Sequence, residues 1–497
     1  MKNTLLPLAA AVLLAGCASL QSAANNNLAD LKLKRPADAP PIAELAVSAW
    51  SAPLPHGGKS AELAQWWAQF NDPLLVELID KAQALSPSLA SAKARIASAQ
   101  VQLASARSNL NPSAGAQLLG QRSAQAGGAA STLLQAGVQA SWEWDLFGKV
   151  AASVEGADAE VQATQATWHE ARVLVAAEVA RNYLGLRQCE QQAALLSADV
   201  ASRVETQRLS SITAKAGLLA PATLALGDAS VAEGQSRINA QLLACGGLAN
   251  ALTSLTGVAA ANLMINSPGV SVIAQSVATK HIAIPSLTVP AIPADALRQR
   301  PDVYRAERDV LVAATQVLGA DGASKPTISF GGTLGLGRIS TAGFTQSGST
   351  WSLGPVSITM PLVQTQGMVA QQAASRVAYD ASQVALRAIV RQAVREVNDA
   401  LGQLASIAER EKLNAAAATG YRAHFAATQA RHRAGLASLV ELEDARRIAL
   451  AADNAVLALE QERVGTWINL YRALGGGWTV ANNGVATTTN IATAAKP

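Results

Sequence analysis

Two stretches of this 497-residue chain are almost bare of charge. Between Arg107 and Lys149 the only charged residues are Arg122, Glu143 and Asp145, and between Lys325 and Arg376 the only one is Arg338. Within them the apolar period is two, not the 3.6 of a helix. Val138, Ala140, Trp142, Trp144 and Leu146 alternate with Gln139, Ser141, Glu143 and Asp145. Ile328, Phe330, Leu334 and Leu336 alternate with Thr327, Ser329, Gly331, Thr333 and Gly335, and Val356, Ile358, Met360 and Leu362 with Ser357 and Thr359. Apolar-out, polar-in segments with Trp near one end are the pattern of membrane-barrel strands; any single segment also fits the edge of a soluble sandwich. The alternation predicts four strands, at about 112–121, 133–147, 326–338 and 351–363, arranged as two hairpins. Four strands cannot close a barrel, for which about eight are needed, and lipid tolerates no open sheet edge. The chain must complete a barrel with copies of itself, as a dimer or a trimer.

The hairpins belong to a duplication. Pro87 and Pro112 are matched by Pro301 and Pro326, Leu184-Gly185 by Leu401-Gly402, and Ala216-Gly217-Leu218 by Ala434-Gly435-Leu436. Two copies of one unit occupy roughly 72–257 and 295–475, a period that means a duplicated domain and not a solenoid. Each copy predicts a helical segment (about 72–110 and 295–321), the strands, a long proline-free helix (Lys149 to about Ile212 and about Val369 to Arg433), a glycine turn and a further helix. At 1.5 Å per residue the first long helix would reach roughly 95 Å. Charged residues are 15% of the chain, against about 25% in ordinary soluble domains, and alanine supplies much of the apolar share. Alanine forms helix well and lets helices approach closely.

Other function classes find no residues to stand on. The formal charge of +4 is diffuse, unlike a nucleic-acid footprint. His56, His169, His281, His424 and His432 show no metal-ligand spacing, and neither a Walker loop nor G-x-S-x-G is present. No enzyme, metal or cofactor is expected beyond a covalent lipid. That lipid is read from the N-terminus: Met1-Lys2, an apolar run from Leu5 to Ala15, then Gly16-Cys17. Residues 1–16 read as a secretory signal, too short to span a membrane. Leu14-Ala15-Gly16-Cys17 resembles a bacterial lipobox, which makes Cys17 the lipidated first residue; ordinary cleavage with Cys17 as a bystander is the alternative.

Longer motifs carry a resemblance. Trp66 to Leu75 (WWAQFNDPLL), Trp144 to Gly148 (WDLFG), Ile292 to Val303 (IPADALRQRPDV) and Arg433 to Arg447 (RAGLASLVELEDARR) resemble, in order, motifs of the outer membrane factor family, the TolC/OprM-like channel lipoproteins of RND-type tripartite efflux systems. The resemblance implies an α+β membrane protein: a homotrimer in which each protomer gives four strands to one twelve-stranded β-barrel and its helices to an α-helical barrel. A mixed equatorial domain would take residues 17–71 and 258–294, with 476–497 as a C-terminal tail. The implied partners are a periplasmic adaptor protein, an inner membrane RND-type pump and outer membrane lipid, with no nucleic acid. The implied function is passive export of small molecules, drugs or toxic compounds, across the outer membrane of a Gram-negative bacterium. The alternatives are a conduit for type I protein secretion and a periplasmic helical structural protein without a pore; the strands argue against the last.

By motif match, Asp444 takes the acidic periplasmic gate position and Val440 the apolar one, a helical turn apart on one face. An ordinary solvated salt-bridge pattern is the alternative for Asp444, and Glu441 and Glu443 are expected to pair with Arg446 or Arg447. The first repeat carries Ala220-Pro221-Ala222 where an acidic residue is usual, so no gate residue is assigned there. The Ala216-Gly217-Leu218 and Ala434-Gly435-Leu436 turns resemble the adaptor-docking tips, and Trp142 and Trp144 are expected at the membrane interface. Cys189 and Cys245 each lie 28 residues from Gly217, so they face each other across the hairpin. A disulfide fits an exported protein; two buried thiols are the alternative. Labelled palmitate should enter the mature protein, and undiminished incorporation in Cys17→Ala would refute the lipid anchor.

Overall fold

The computed structural model describes residues 36–47, 49–51, 63–124, 129–264, 293–341 and 343–478. Cys17, residues 265–292 and the tail beyond Trp478 lie outside the described residues. Two compact units are present. Among described residues one comprises 36–40, Lys93–Ala166 and Tyr304–Ala388, and the other Pro41–Ala92, Thr167–Val303 and Ile389 onward. Each unit takes segments from both repeats.

The first unit is organised by one antiparallel sheet in the order β1 (Ser113–Ser123), β2 (Ser131–Trp144), β3 (Thr327–Thr341) and β4 (Phe344–Thr359). Pairing of β2 with β3 joins the two repeats. Directly opposed residues share a face, and the register collects the apolar ones: Trp144–Ile328–Ile358, Trp142–Phe330–Val356, Ala116–Val138–Leu334–Trp351 and Leu118–Ala136–Leu336. The other face carries Gly115–Gln139–Thr333–Ser352 and Gln117–Gly137–Gly335–Thr350. The register steps at Phe330/Gly332 opposite Val356 and Leu353, which puts an extra residue in β4 beside Gly354-Pro355. That bulge reverses the parity of β4. Unbroken alternation from Val356 would turn Trp351 and Leu353 to the polar face, whereas both join the apolar one.

At the seam between the repeats, a Cβ on Gly137 would lie 2.9 Å from the Leu334 carbonyl oxygen, and one on Gly335 2.7 Å from that of Ala136. The two backbones approach closely on the polar side there, which leaves room only for glycine. Trp142 and Trp144 lie in the two apolar rows nearest the helices. The Trp142 indole N–H donates to the Leu110 carbonyl at 3.1 Å and the ring stacks on Phe330.

Three expectations need correction. The segment 72–110 is two helices, α1 (Pro73–Leu85) and α2 (Pro87–Ser108). Pro87 forces Ser86 out of the helical region, to ψ 120°. Strand β4 starts at Phe344, not near 351, because Thr341 and Phe344 pair across a turn at Gly343 (φ +89°). Asp145, expected as a polar strand residue, lies beyond β2. Its carboxylate accepts the Val150 and Ala151 amides at 3.1 and 2.7 Å, satisfying first-turn donors of helix α3 (Lys149–Lys215) that have no partner within the helix.

The remaining major helices are α4 (Pro221–Thr256), α5 (Pro301–Gly322), α6 (Gln366–Arg433) and α7 (Leu439–Ala473). Among the described residues no helix is long and apolar enough to cross a membrane. The second unit is helical; in its larger core Trp66 is fully buried, stacked on Tyr471 and edge-on to Phe70. Around it lie Leu75 and Leu78 of α1, Leu186 of α3, Leu252 of α4, Leu401 of α6 and Ile468 of α7. The family motifs thus have structural explanations. Asp72 caps α1, accepting the Leu74 and Leu75 amides, and its second oxygen accepts the Tyr183 hydroxyl at 2.6 Å. Burial, then this bond, pushes the Tyr183 hydroxyl up to about 12. Arg300 donates to the Ala473 carbonyl at 2.7 Å and to Asp302 and Glu396. Burial opposes its charge, but the bonds to the two carboxylates raise its pKa overall. Trp66→Ala should destabilise the helical unit by about 3–5 kcal/mol, read as a lower thermal midpoint in far-ultraviolet circular dichroism, with Trp66→Phe losing less.

Candidate functional site

The two helix hairpins reverse by the same local chemistry. Gly217 (φ +76°) and Gly435 (φ +75°) adopt the left-handed conformation that ends a helix. In the first tip the Gly217 and Leu218 amides donate to the Ala214 and Thr213 carbonyls; in the second the Gly435 and Leu436 amides donate to those of His432 and Arg431. Both are Schellman closures, in which the last carbonyls of the helix find donors. The leucine after each glycine normally folds back on its helix, yet Leu218 and Leu436 are 79% and 70% exposed.

The outgoing helices start differently. Pro221 opens α4, and Ala220 offers no side-chain cap. Ser438 opens α7 with a capping box, its hydroxyl accepting the Glu441 amide while the Glu441 carboxylate accepts the Ser438 amide at 2.6 Å. These bonds hold the Glu441 carboxyl below its usual range. Glu441 therefore closes the helix start and does not pair with Arg446 or Arg447, contrary to expectation.

Helix α7 then divides cleanly. Leu439, Leu442, Ala445, Arg446 and Ala449 are buried, whereas Val440, Asp444 and Arg447 are exposed in one stripe. Asp444 accepts from Arg447 at 2.5 Å, an exposed i,i+3 pair on its own helix of the kind given as the alternative reading of this acid. Cys189 of α3 and Cys245 of α4 are joined by a disulfide, with Cα atoms 5.5 Å apart.

Scattered helical carboxylates suggest solvated faces in sequence, but below the tips they form a buried ion network. Arg203 of α3 is 5% exposed and donates to Asp199 at 2.7 Å and to the Ser230 hydroxyl of α4 at 2.7 Å. That hydroxyl donates to Glu443 of α7 at 2.8 Å. Arg446, 2% exposed, pairs with Glu443, donates to Thr206 at 2.9 Å and to Ser202, and lies over the Phe425 ring of α6. Burial lowers the Arg446 pKa against the pull of Glu443 and Asp199. One cluster of charges thereby ties both hairpins together. Asp199–Arg203 and Glu443–Arg446 spacings were visible in the sequence; that four such residues face inward was not. Among the described residues no group of three or more His, Cys, Asp or Glu is placed to hold a metal.

Comparison with known proteins bears on the whole arrangement. The chain is 26% identical over 452 residues to the outer membrane protein OprJ of Pseudomonas aeruginosa, covering 88% of this chain and 91% of that one. It is 25% identical over 423 residues to the solvent efflux pump outer membrane protein SrpC of Pseudomonas putida, covering 83% and 87%. Among solved structures, the open-state MtrE outer membrane channel of Neisseria gonorrhoeae has a similar fold, with TM-score 0.74, 23% identity and coverage of 90% and 98%. The outer-membrane channel OprN gives TM-score 0.74, 22% identity and coverage of 87% and 97%. Residues 78–258 and 292–476 match the family described as outer membrane efflux protein, one match to each repeat. The chain belongs to the outer membrane efflux protein family.

Proposed function

We propose that the protein is an outer membrane efflux channel that works as a homotrimer and exports small molecules passively. The observation that carries this reading is the sheet: four strands with one apolar and one polar face, whose outer strands β1 and β4 have no further strand partner among the described residues. In lipid those edges need partners, which further copies of the sheet provide. Two copies would give the smallest barrels, about eight strands, whose interior side chains just fill. Three copies leave a lumen lined by the Ser, Thr, Gly and Gln face. At the helical end that face borders a cleft of about 1190 Å³ lined by Ser141, Glu143, Lys149, Glu160 and Ser329. A periplasmic structural tether would have no use for such a sheet.

Access would be set at the tips. Three-fold repetition of the Val440–Asp444–Arg447 stripe gives an apolar constriction beside a ring of paired charges, a means of dewetting a pore and filtering ions. The exposed Leu218 and Leu436 offer an apolar foothold for a periplasmic adaptor, which would couple the channel to an inner membrane RND-type pump. A lipid on Cys17 would anchor the chain to the outer membrane. Inside each protomer the Asp199–Arg203–Glu443–Arg446 network makes the two hairpins move as a body, so dilation would act between protomers.

Purified protein should run as a heat-dissociable trimer in detergent and conduct ions in planar bilayers; a monomer without conductance overturns the channel. Asp444→Ala should raise single-channel conductance or vancomycin entry, and unchanged values would remove Asp444 from the gate. Arg446→Ala leaves the half-buried Glu443 without its closest cation. It should cost about 3–5 kcal/mol, measured as a drop in thermal midpoint, whereas exposed Arg447→Ala should cost less than about 1 kcal/mol.

A further inference from the structure

The sheet holds two arginines on its apolar face, both at the end away from the helices. Arg338 of β3 is opposed by Leu134 and Ser347, one row past Leu118–Ala136–Leu336. Arg122 of β1 is opposed by Thr132, in the row beyond, with Ser340 and Thr345. Both are exposed. Neither has an ion pair or side-chain hydrogen bond among the described residues. The acids of the two charge-poor stretches, Glu143 and Asp145, belong to the opposite end of the sheet, so the sheet cannot neutralise its own cations.

Their height is informative. From Ile328 to Arg338 is ten residues along β3, about 33 Å of strand. At a barrel tilt near 40° this projects to roughly 25 Å, the height of the apolar band of a membrane barrel. An arginine on the lipid face costs about 2–4 kcal/mol at the bilayer midplane and almost nothing at the interface. Arg338 therefore falls where the hydrocarbon ends and Arg122 one row into the headgroup layer. Two interstrand spacings, with β2 between, and two residues along the strand separate them, roughly 12 Å between Cα atoms, a span that two long side chains can close around one headgroup. The hydroxyls of Thr132, Ser340 and Thr345 in the same rows add neutral donors.

We infer that Arg122 and Arg338 form a phosphate clamp on the barrel's outer surface that binds the headgroup of an anionic lipid of the external leaflet. The clamp rests on the membrane-barrel reading above. Guanidinium forks match phosphate oxygens bidentately, and the polar hydroxyls beside them leave no competing carboxylate.

Native mass spectrometry of the full-length oligomer in detergent tests it, with short-chain phosphatidic acid and phosphatidylcholine of the same acyl length as probes. Wild-type protein should retain phosphatidic acid about thirtyfold more tightly, the effect of two basic residues near an anionic headgroup. Arg122→Gln/Arg338→Gln should lose most of that preference, and Arg122→Lys/Arg338→Lys should keep part of it. Equal retention of the two lipids by the wild type, a preference unchanged in the double glutamine variant, or equal displacement by inorganic phosphate would overturn the clamp. Wild-type conductance in planar bilayers separates the two readings: a conducting protein without lipid preference sinks the clamp alone, and a protein that neither inserts nor conducts sinks the barrel with it.

Discussion

For the proposed channel, the backbone of a sheet edge in hydrocarbon is the constraint on which the rest depends. Water is absent there, so every amide and carbonyl on the outer sides of β1 and β4 must find a partner within protein. Each repeat provides only one hairpin, and β2–β3 pairing merges the two hairpins into a sheet of four strands. That unites the duplication and still leaves two edges open. In that channel, self-assembly is a requirement of the sheet and not an addition to it.

The helical unit meets a different demand. Long alanine-rich helices bury little area each, so the hydrophobic core gathers at the aromatic cluster around Trp66 and Tyr471. The Cys189–Cys245 bond belongs to that core, and farther toward the tips a smaller apolar cluster of Leu196, Ile238 and Leu450 is joined by buried ions. A buried ion network contributes little net stability compared with apolar packing, but breaking it is costly. It suits a place where hairpins must hold one relative arrangement without a thick core. The exposed stripe of α7 is consequently free of any packing duty and available for contacts outside the protomer.

Much of the fold was legible because its signals are periodic. Strand segments announced themselves by alternation, the long helices by proline-free runs, and both tips by Ala-Gly-Leu. Legibility failed where one residue had two uses. Asp145 continues the strand alternation but caps a helix, and Glu441 sits in a charged run but closes a capping box. Trp351 and Leu353 fall out of phase with Val356 until the bulge beside Gly354-Pro355 restores them to the apolar face. The shared face of Val440 and Asp444 followed from helical spacing, and the exposed Asp444–Arg447 pair is the salt-bridge pattern that stood as the alternative for Asp444.

Sequence alone determined the elements, their order, the duplication and the two-faced strands, because each follows from local periodicity. Tertiary structure decided which charges are buried, which carboxylates cap helices, and which rows of the sheet end in arginine. Those depend on register and helix phase, which long-range pairing sets and a single strand or helix cannot.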